Sequence, residues 1–239
     1  NAEHVLGTFP KLKLFKCITK ATPVQSIDIN HEDASEIKKN FFQSLKHLKL
    51  SKADGLIIHN SKDIHKNGFE YVVDTLHELK AHDHVNKIGA SVYEPEDVDR
   101  LLSIFKIDLI QLPLNVFSQD FIKSGLLNEL SNQNIEIHVR SIFLQGAVFI
   151  NPDRLPEHLG PLKTKIAKLN ETANDLGISA FELAIDFIKS QPQINTCIVG
   201  VNNKEHLTNL VSAFNKRPKD FDASIFHLNC STVTNPSNW

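Results

Sequence analysis

The segment KIGASVYEPEDVDRLLSIFKIDLIQLPLNVF (residues 87–117) decides the fold. Its two apolar runs, KIGASV (87–92) and IDLIQL (107–112), have the length of strands, and between them Val98, Leu101, Leu102 and Phe105 recur at helical spacing. A strand, a helix and a strand within about thirty residues make a βαβ unit, and a crossover of that kind joins parallel strands. Both runs carry a polar residue at or near their carboxyl end, Ser91 and Gln111.

Working outward, the same alternation recurs. LKLFKCIT (12–19) reads as a strand and is followed by Ile37, Phe41, Leu45 and Leu48, the buried stripe of a helix. ADGLIIHN (53–60) is a second strand, with Phe69, Val72, Val73, Leu76 and Leu79 tracing the next helix. Beyond the quoted segment come a helix around 119–133 and IEIHVRSIFLQG (135–146), a strand with a longer connection. A helix near 179–190, the strand NTCIVGV (195–201) and a helix from Lys204 to Phe214 complete the series. Strands apolar on both faces and alternating with helices predict a parallel sheet covered by helices. Six strands suit an open doubly wound sheet, or a (β/α)8 barrel lacking two. No G-x-G-x-x-G follows an early strand, which counts against a dinucleotide-binding Rossmann sheet.

The composition is that of one globular domain spanning 1–239, with 41% hydrophobic and 23% charged residues and a net charge of −2. That balance excludes a polyanion-binding protein, so no nucleic-acid partner is expected. No apolar run approaches the roughly 20 residues of a membrane span, and the opening NAEHVLGTFPKLKLFK lacks the apolar core of a signal peptide. No membrane partner and a cytoplasmic location are therefore expected. Cys17, Cys197 and Cys230 are odd in number and far apart, and read as free packing thiols. Among twelve histidines, His82 and His84 have metal-ligand spacing but sit at a helix end leading into a strand, the wrong end for a barrel site. They read as a solvated turn, and no metal is expected.

In parallel α/β folds the site lies at the carboxyl ends of the strands. There the sequence places Lys20, His59, Ser91, Gln111 with Asn115, Arg140 with Ser141, and Gly200 with Asn202. In order, CITKAT, GLIIHN, KIGASVY, IDLIQLPLNVF, HVRSIFLQG and IVGVNN resemble the successive strand ends of the aldo-keto reductase family. The resemblance covers almost the whole chain, and RSIFLQG with the terminal NPSNW is similar to a bacterial subgroup associated with sugar biosynthesis. It implies a (β/α)8 TIM barrel, of which six strands are visible here. It also implies NADPH as cofactor, with NADH as the alternative, and reduction of an aldehyde or ketone, a small-molecule carbonyl substrate, to an alcohol.

The family's tetrad is Asp, Tyr, Lys and His. The resemblance assigns the lysine to Lys20 and the histidine to His59, and it puts the aspartate and tyrosine on a strand before NAEHVLG. About 40–50 residues, two βα units, are accordingly expected to precede Asn1. Carbonyl reduction builds negative charge on oxygen, and a tyrosine of pKa about 10 donates its proton readily only when a nearby ammonium stabilises the phenolate. That is the role implied for Lys20, while His59 orients the carbonyl as neutral imidazole. Tyr71, on a helical segment, reads as packing, and Tyr93 as a pocket-lining residue.

For the cofactor, the resemblance places Ser91 and Gln111 on the nicotinamide carboxamide, with Val92 where an asparagine often follows. Arg140 stands where relatives place a stacking aromatic, and Ser141 and Gly146 fit the pyrophosphate-side loop. Gly200, Asn202 and Asn203 open a helix whose free amides suit phosphate. Where relatives specific for NADPH carry a lysine or arginine for the 2′-phosphate, the resemblance places Gly200 and His206, with Lys204 the only nearby cation, and it places Asn209 near adenine. The tail from Arg217 to Trp239 reads either as a cover over the substrate pocket or as a strap on the outside. The rival reading is a catalytically silent barrel that binds nucleotide or a protein partner.

Overall fold

The computed structural model describes residues 2–235 and 238. Its contacts cluster into two compact units, Asn1–Gln111 and Leu112–Trp239, divided within the fourth strand. Six strands are hydrogen-bonded in chain order, β1 to β6.

The first unit contains β1 (Ile18–Ala21), β2 (Ala53–Ile58), β3 (Val85–Ser91) and β4 (Leu109–Pro113) as far as Gln111. All three of its strand pairings are parallel. A short helix, α1 (Ala2–Leu6), precedes them, and α2 (His31–Leu48), α3 (Phe69–Ala81) and α4 (Pro95–Ile104) connect them. Asn30 starts α2 by accepting the amides of Glu32 and Asp33, while Asp33 returns a carboxylate to the Asn30 amide at 3.0 Å. This reciprocal cap satisfies amides that the first turn otherwise leaves unbonded. Ile37, Phe41, Leu45 and Leu48 are buried along one face of α2, and Phe69, Val72, Val73, Leu76 and Leu79 along α3, as their spacing predicts. In α4 the inner face is narrower than expected: Val98 and Leu101 are buried, while Leu102 is only half-buried.

The strands between these helices are buried on both faces, with Leu56, Ile57, Ile88 and Ile110 all at 1% exposure or less. Each such side chain contributes about 1.5–3 kcal/mol of burial. Two aspartates tie strand starts together. Asp54 accepts the Cys17 amide at 2.8 Å, and Asp108 accepts the Ile88 amide at 2.9 Å and the Lys80 ammonium at 2.6 Å. Gly89 is required by close approach, because a Cβ there would stand 1.8 Å from the Leu109 carbonyl oxygen. The expected strand 12–19 starts late: Leu12–Leu14 form a 3-10 turn with Leu14 79% exposed, and pairing begins where Asp54 fixes Cys17.

In the second unit, β5 (Glu136–Arg140) pairs in parallel with β6 (Ile194–Cys197), with a register irregularity at Ile137/His138. The helix expected over 119–133 is two helices, α5 (Asp120–Lys123) and α6 (Leu126–Asn132). Gly125, at φ 81°, breaks them apart. The long connection after β5 contains α7 (Lys163–Asp175), which the sequence reading passed over. Only Ile166, Leu169 and Ala173 are buried in it, a stripe too sparse to stand out among polar neighbours. Then come α8 (Ala180–Lys189), capped reciprocally by Ser179 and Glu182, and α9 (Lys204–Asn215), followed by a single-turn α10 (Ser231–Thr234). Strand β6 is shorter than the predicted 195–201. Part of the tail packs onto the segment after β4: Leu228 donates to the Phe117 carbonyl at 2.9 Å, Gln119 donates to Ala223 at 2.7 Å, and Phe226 is fully buried. Trp239 lies outside the described residues. Among the described residues, no helix is long and apolar enough to cross a membrane.

Candidate active site

In the first unit the register sorts the polar strand ends. Lys20 pairs with Ile57, Ile57 with Gly89, and Gly89 with Leu109. Residues two apart on a strand share a face, so Ser91 and Gln111, themselves Cα partners, lie on the Lys20 face one step nearer the carboxyl end. His59, one residue past β2 and two past Ile57, continues the same row. Four residues that the sequence singled out are thus brought to one face and one end of adjacent strands.

Their environments differ. Lys20 and His59 are exposed, whereas Ser91 and Gln111 are 2% and 4% exposed. Among the described residues, no hydrogen bond joins the Ser91 hydroxyl or the Gln111 carboxamide to another side chain. A hydroxyl and a carboxamide without side-chain partners, on residues otherwise buried, fit a ligand that brings its own carboxamide, as nicotinamide does.

The loops that follow Lys20 and His59 are clamped to each other. Asp63, 3% exposed, accepts the Val24 amide at 3.1 Å and an Asn60 side-chain N–H at 3.2 Å, and pairs with Lys66 at 2.9 Å. Lys66 in turn donates to the Val24 carbonyl at 2.6 Å. Neither tyrosine joins this row. Tyr71, on α3, packs its ring against His31 at 4.2 Å and a tilt of 47°, and Tyr93 follows β3 half-buried. His82 caps the end of α3, and with His84 precedes β3, at the amino end of that strand. Among the described residues, no cluster of three metal-ligating groups is present.

In the second unit, RSIFLQG is a strained loop. Ser141, Leu144 and Gln145 have φ of 59°, 45° and 54°, and Gly146 has 91°. Three non-glycine residues in the left-handed region cost about 1–3 kcal/mol each, a cost that concentrates at functional loops. Asn115, 0% exposed, helps hold the loop by donating to the Ser141 carbonyl at 3.2 Å. Its side-chain oxygen accepts the Phe117 and Ser118 amides, so Asn115 braces the turn after β4. Arg140 sits half-buried at the end of β5.

Beside this loop lies a cleft of about 580 Å³ whose lining includes Phe143, Phe149, Phe181, Gly200, His206 and Asn209. Three cofactor residues of the sequence reading, Gly200, His206 and Asn209, therefore share one cavity. Arg140, Ser141, Gly146, Asn202, Asn203 and Lys204 are not part of its lining. Asn203 caps α9 by accepting the His206 amide at 2.8 Å, which commits its oxygen to the helix. The sequence reading missed the aromatic wall, and with it Glu182 and Lys216, which also line the cleft. The Ser-x-x-Glu cap signature at 179–182 marks the start of α8 but carries no sign of a cavity. Hydrogen bonds from Lys216 first, and then from Ser179, hold the Glu182 carboxyl down from its ordinary 4.5 to about 2.

Residues 8–225 match the model of the aldo/keto reductase family. No curated protein sequence matches the chain. The structure is similar to the holo form of an aldo-keto reductase from Bacillus halodurans, AKR11C1, with a TM-score of 0.74 at 18% identity, covering 91% of this chain and 74% of that one. It is similar as well to a glycerol dehydrogenase from Gluconobacter oxydans, AKR11B4, with a TM-score of 0.62 at 17% identity, covering 92% of this chain and 79% of that one. Identities this low show the fold, and the fold class is the (β/α)8 barrel, with six of its strands among the described residues. The match across most of the length, together with six parallel strands, makes the chain a member of the aldo/keto reductase family.

Proposed function

We propose that the protein is an oxidoreductase that reduces a small-molecule aldehyde or ketone, of a sugar-related kind, with NADPH or NADH. The observation that carries this reading is the row formed by Lys20, His59, Ser91 and Gln111 on one face at the carboxyl ends of neighbouring strands. When bound, the dinucleotide supplies hydride. Ser91 and Gln111 hold its carboxamide through the hydroxyl and amide described above. His59 donates a hydrogen bond that orients the substrate carbonyl oxygen. Lys20 provides the positive charge that eases proton release from a tyrosine, the donor implied by the family resemblance. Gly200, His206 and Asn209 are assigned to the adenosine portion, and Arg140, Ser141 and Gly146 to the loop beside it. Asn202, Asn203 and Lys204 are assigned to phosphate at the start of α9.

The cytoplasm is the proposed location, consistent with three free cysteines and with the need for reduced dinucleotide. The test is a screen of the full-length protein against aldehydes and ketones with both dinucleotides, repeated with Lys20→Met and His59→Gln. Both side chains are exposed, so the variants should stay folded while kcat/KM falls by about 10²–10⁴. Unchanged turnover would remove both assignments. Dinucleotide binding without any turnover in the parent protein would favour the silent-barrel reading.

A further inference from the structure

We propose that the cleft in the second unit selects NADH over NADPH, with Glu182 as the residue that rejects a 2′-phosphate. The inference rests on the dinucleotide reading above and adds to it the identity of the cofactor.

The cleft is built for a flat heterocycle. The Phe143 ring lies 5.1 Å from Phe149 and 5.3 Å from Phe181, close to parallel with the latter. Phe149 is nevertheless 53% exposed, an aromatic surface that a stacked base would cover. Gly200 contributes bare backbone, and a Cβ added there would meet nothing within 4 Å. Asn209 lines the same space with a carboxamide able to bond a base edge.

The charges on this wall decide what the ribose can carry. Glu182 is held from both sides. One oxygen meets the Lys216 ammonium at 2.6 Å, and the other accepts the Ser179 amide at 3.0 Å and its hydroxyl at 2.8 Å. The carboxylate is fixed and ionised, and the Lys216 charge is committed to it. The third ionisable residue in the lining is His206. Lys189, the next cation along α8, donates to the Ala213 carbonyl at 3.3 Å and to the Lys216 carbonyl. The lining thus carries one carboxylate and one ammonium, paired with each other, beside the His206 imidazole.

A ribose 2′-hydroxyl can donate to a carboxylate of this kind. A 2′-phosphate brings a charge near −2, has no proton to give at neutral pH, and would face Glu182 as a like charge. Rejection by a fixed like charge is a standard route to specificity, and it needs no new contact to the accepted ligand.

The experiment is calorimetric titration of the full-length protein with NADH and NADPH, and with the probes 5′-AMP and adenosine 2′,5′-bisphosphate. NADH and 5′-AMP should bind at least about tenfold tighter than their phosphorylated counterparts. In Glu182→Gln, which removes the charge and frees Lys216, the NADPH affinity should rise until the two dinucleotides differ by less than about threefold. Lys216→Gln, which leaves the carboxylate uncompensated, should weaken NADPH further and leave NADH within about twofold. The two variants move NADPH in opposite directions, so general damage to the fold cannot mimic the pattern. NADPH binding as tight as NADH in the parent protein would overturn the inference alone. Failure of all four ligands to bind would overturn the dinucleotide reading beneath it.

Discussion

Removing the Asp63 carboxylate tests whether the clamp on the Lys20 and His59 loops is real. The side chain is 4% exposed and its partner Lys66 21%. Asp63→Ala would leave the Val24 amide without its acceptor, in a residue 8% exposed. An unsatisfied buried amide costs about 1–3 kcal/mol. Breaking a buried ion pair from one side costs about 3–5 kcal/mol, but Lys66 keeps its bond to the Val24 carbonyl and some access to water, which puts this pair at the low end. The two losses share one carboxylate and do not add, so the expected destabilisation is about 3 kcal/mol. For a chain of this size that lowers the melting temperature by about 6–12 °C. Asp63→Asn keeps an acceptor for Val24 and should cost about half as much. The assay is urea unfolding followed by far-ultraviolet circular dichroism, reading the midpoint at constant slope. A loss below about 1 kcal/mol for the alanine variant, or equal losses for alanine and asparagine, would show that the clamp is not what holds these loops.

Four further outcomes follow from the same geometry. Gly89→Ala should abolish soluble expression, because its Cβ would fall 1.8 Å from the Leu109 carbonyl oxygen. Gly146→Ala, where nothing lies within 4 Å and only the φ of 91° is strained, should fold with a loss of about 1 kcal/mol in chemical denaturation. Burial pushes the Cys197 thiol up to about 12, so about one molecule in ten thousand is thiolate at pH 8. Native alkylation followed by peptide mass spectrometry should therefore label the half-buried Cys197 much more slowly than in the denatured chain, and equal rates would contradict the raised pKa. The Glu182 carboxyl, at about 2 against an ordinary 4.5, is a group whose folded pKa is depressed. Its contribution to stability is complete above about pH 4.5 and is lost as pH falls toward 2. Glu182→Gln should flatten the stability curve in that window, and an unchanged acid limb would place the carboxylate outside the ion pair.

Much of the first unit was legible because its signals are local. A strand is recognised from a short run of apolar neighbours, so KIGASV and IDLIQL placed Ser91 and Gln111 at or near the carboxyl ends of their strands. The βαβ connection then implied that their strands run parallel, and the structure pairs Ser91 with Gln111. The helices with dense stripes, α2 and α3, were equally plain. Where the stripe thins to three residues, as in α7, or a single glycine interrupts it, as at Gly125, the period no longer identifies one continuous helix.

The cleft in the second unit was legible only in part, for the opposite reason. Gly200 follows β6 and His206 and Asn209 lie in the first two turns of α9, so a motif of ten residues contains them. Phe143, Phe149 and Phe181 come from a loop and a helix, and nothing periodic connects them. They converge because Ser141, Leu144 and Gln145 turn the backbone through the left-handed region, and no side-chain pattern announces that at non-glycine positions. Lys216 meets Glu182 across 34 residues of chain, joined by the packing of α8 against α9. The charge on the cavity wall, and with it any preference between two cofactors that differ by one phosphate, is thus a property of long-range packing. A local motif can point to a dinucleotide, whereas Glu182 and Lys216, the pair proposed to choose between its two forms, are brought together only by the folded chain.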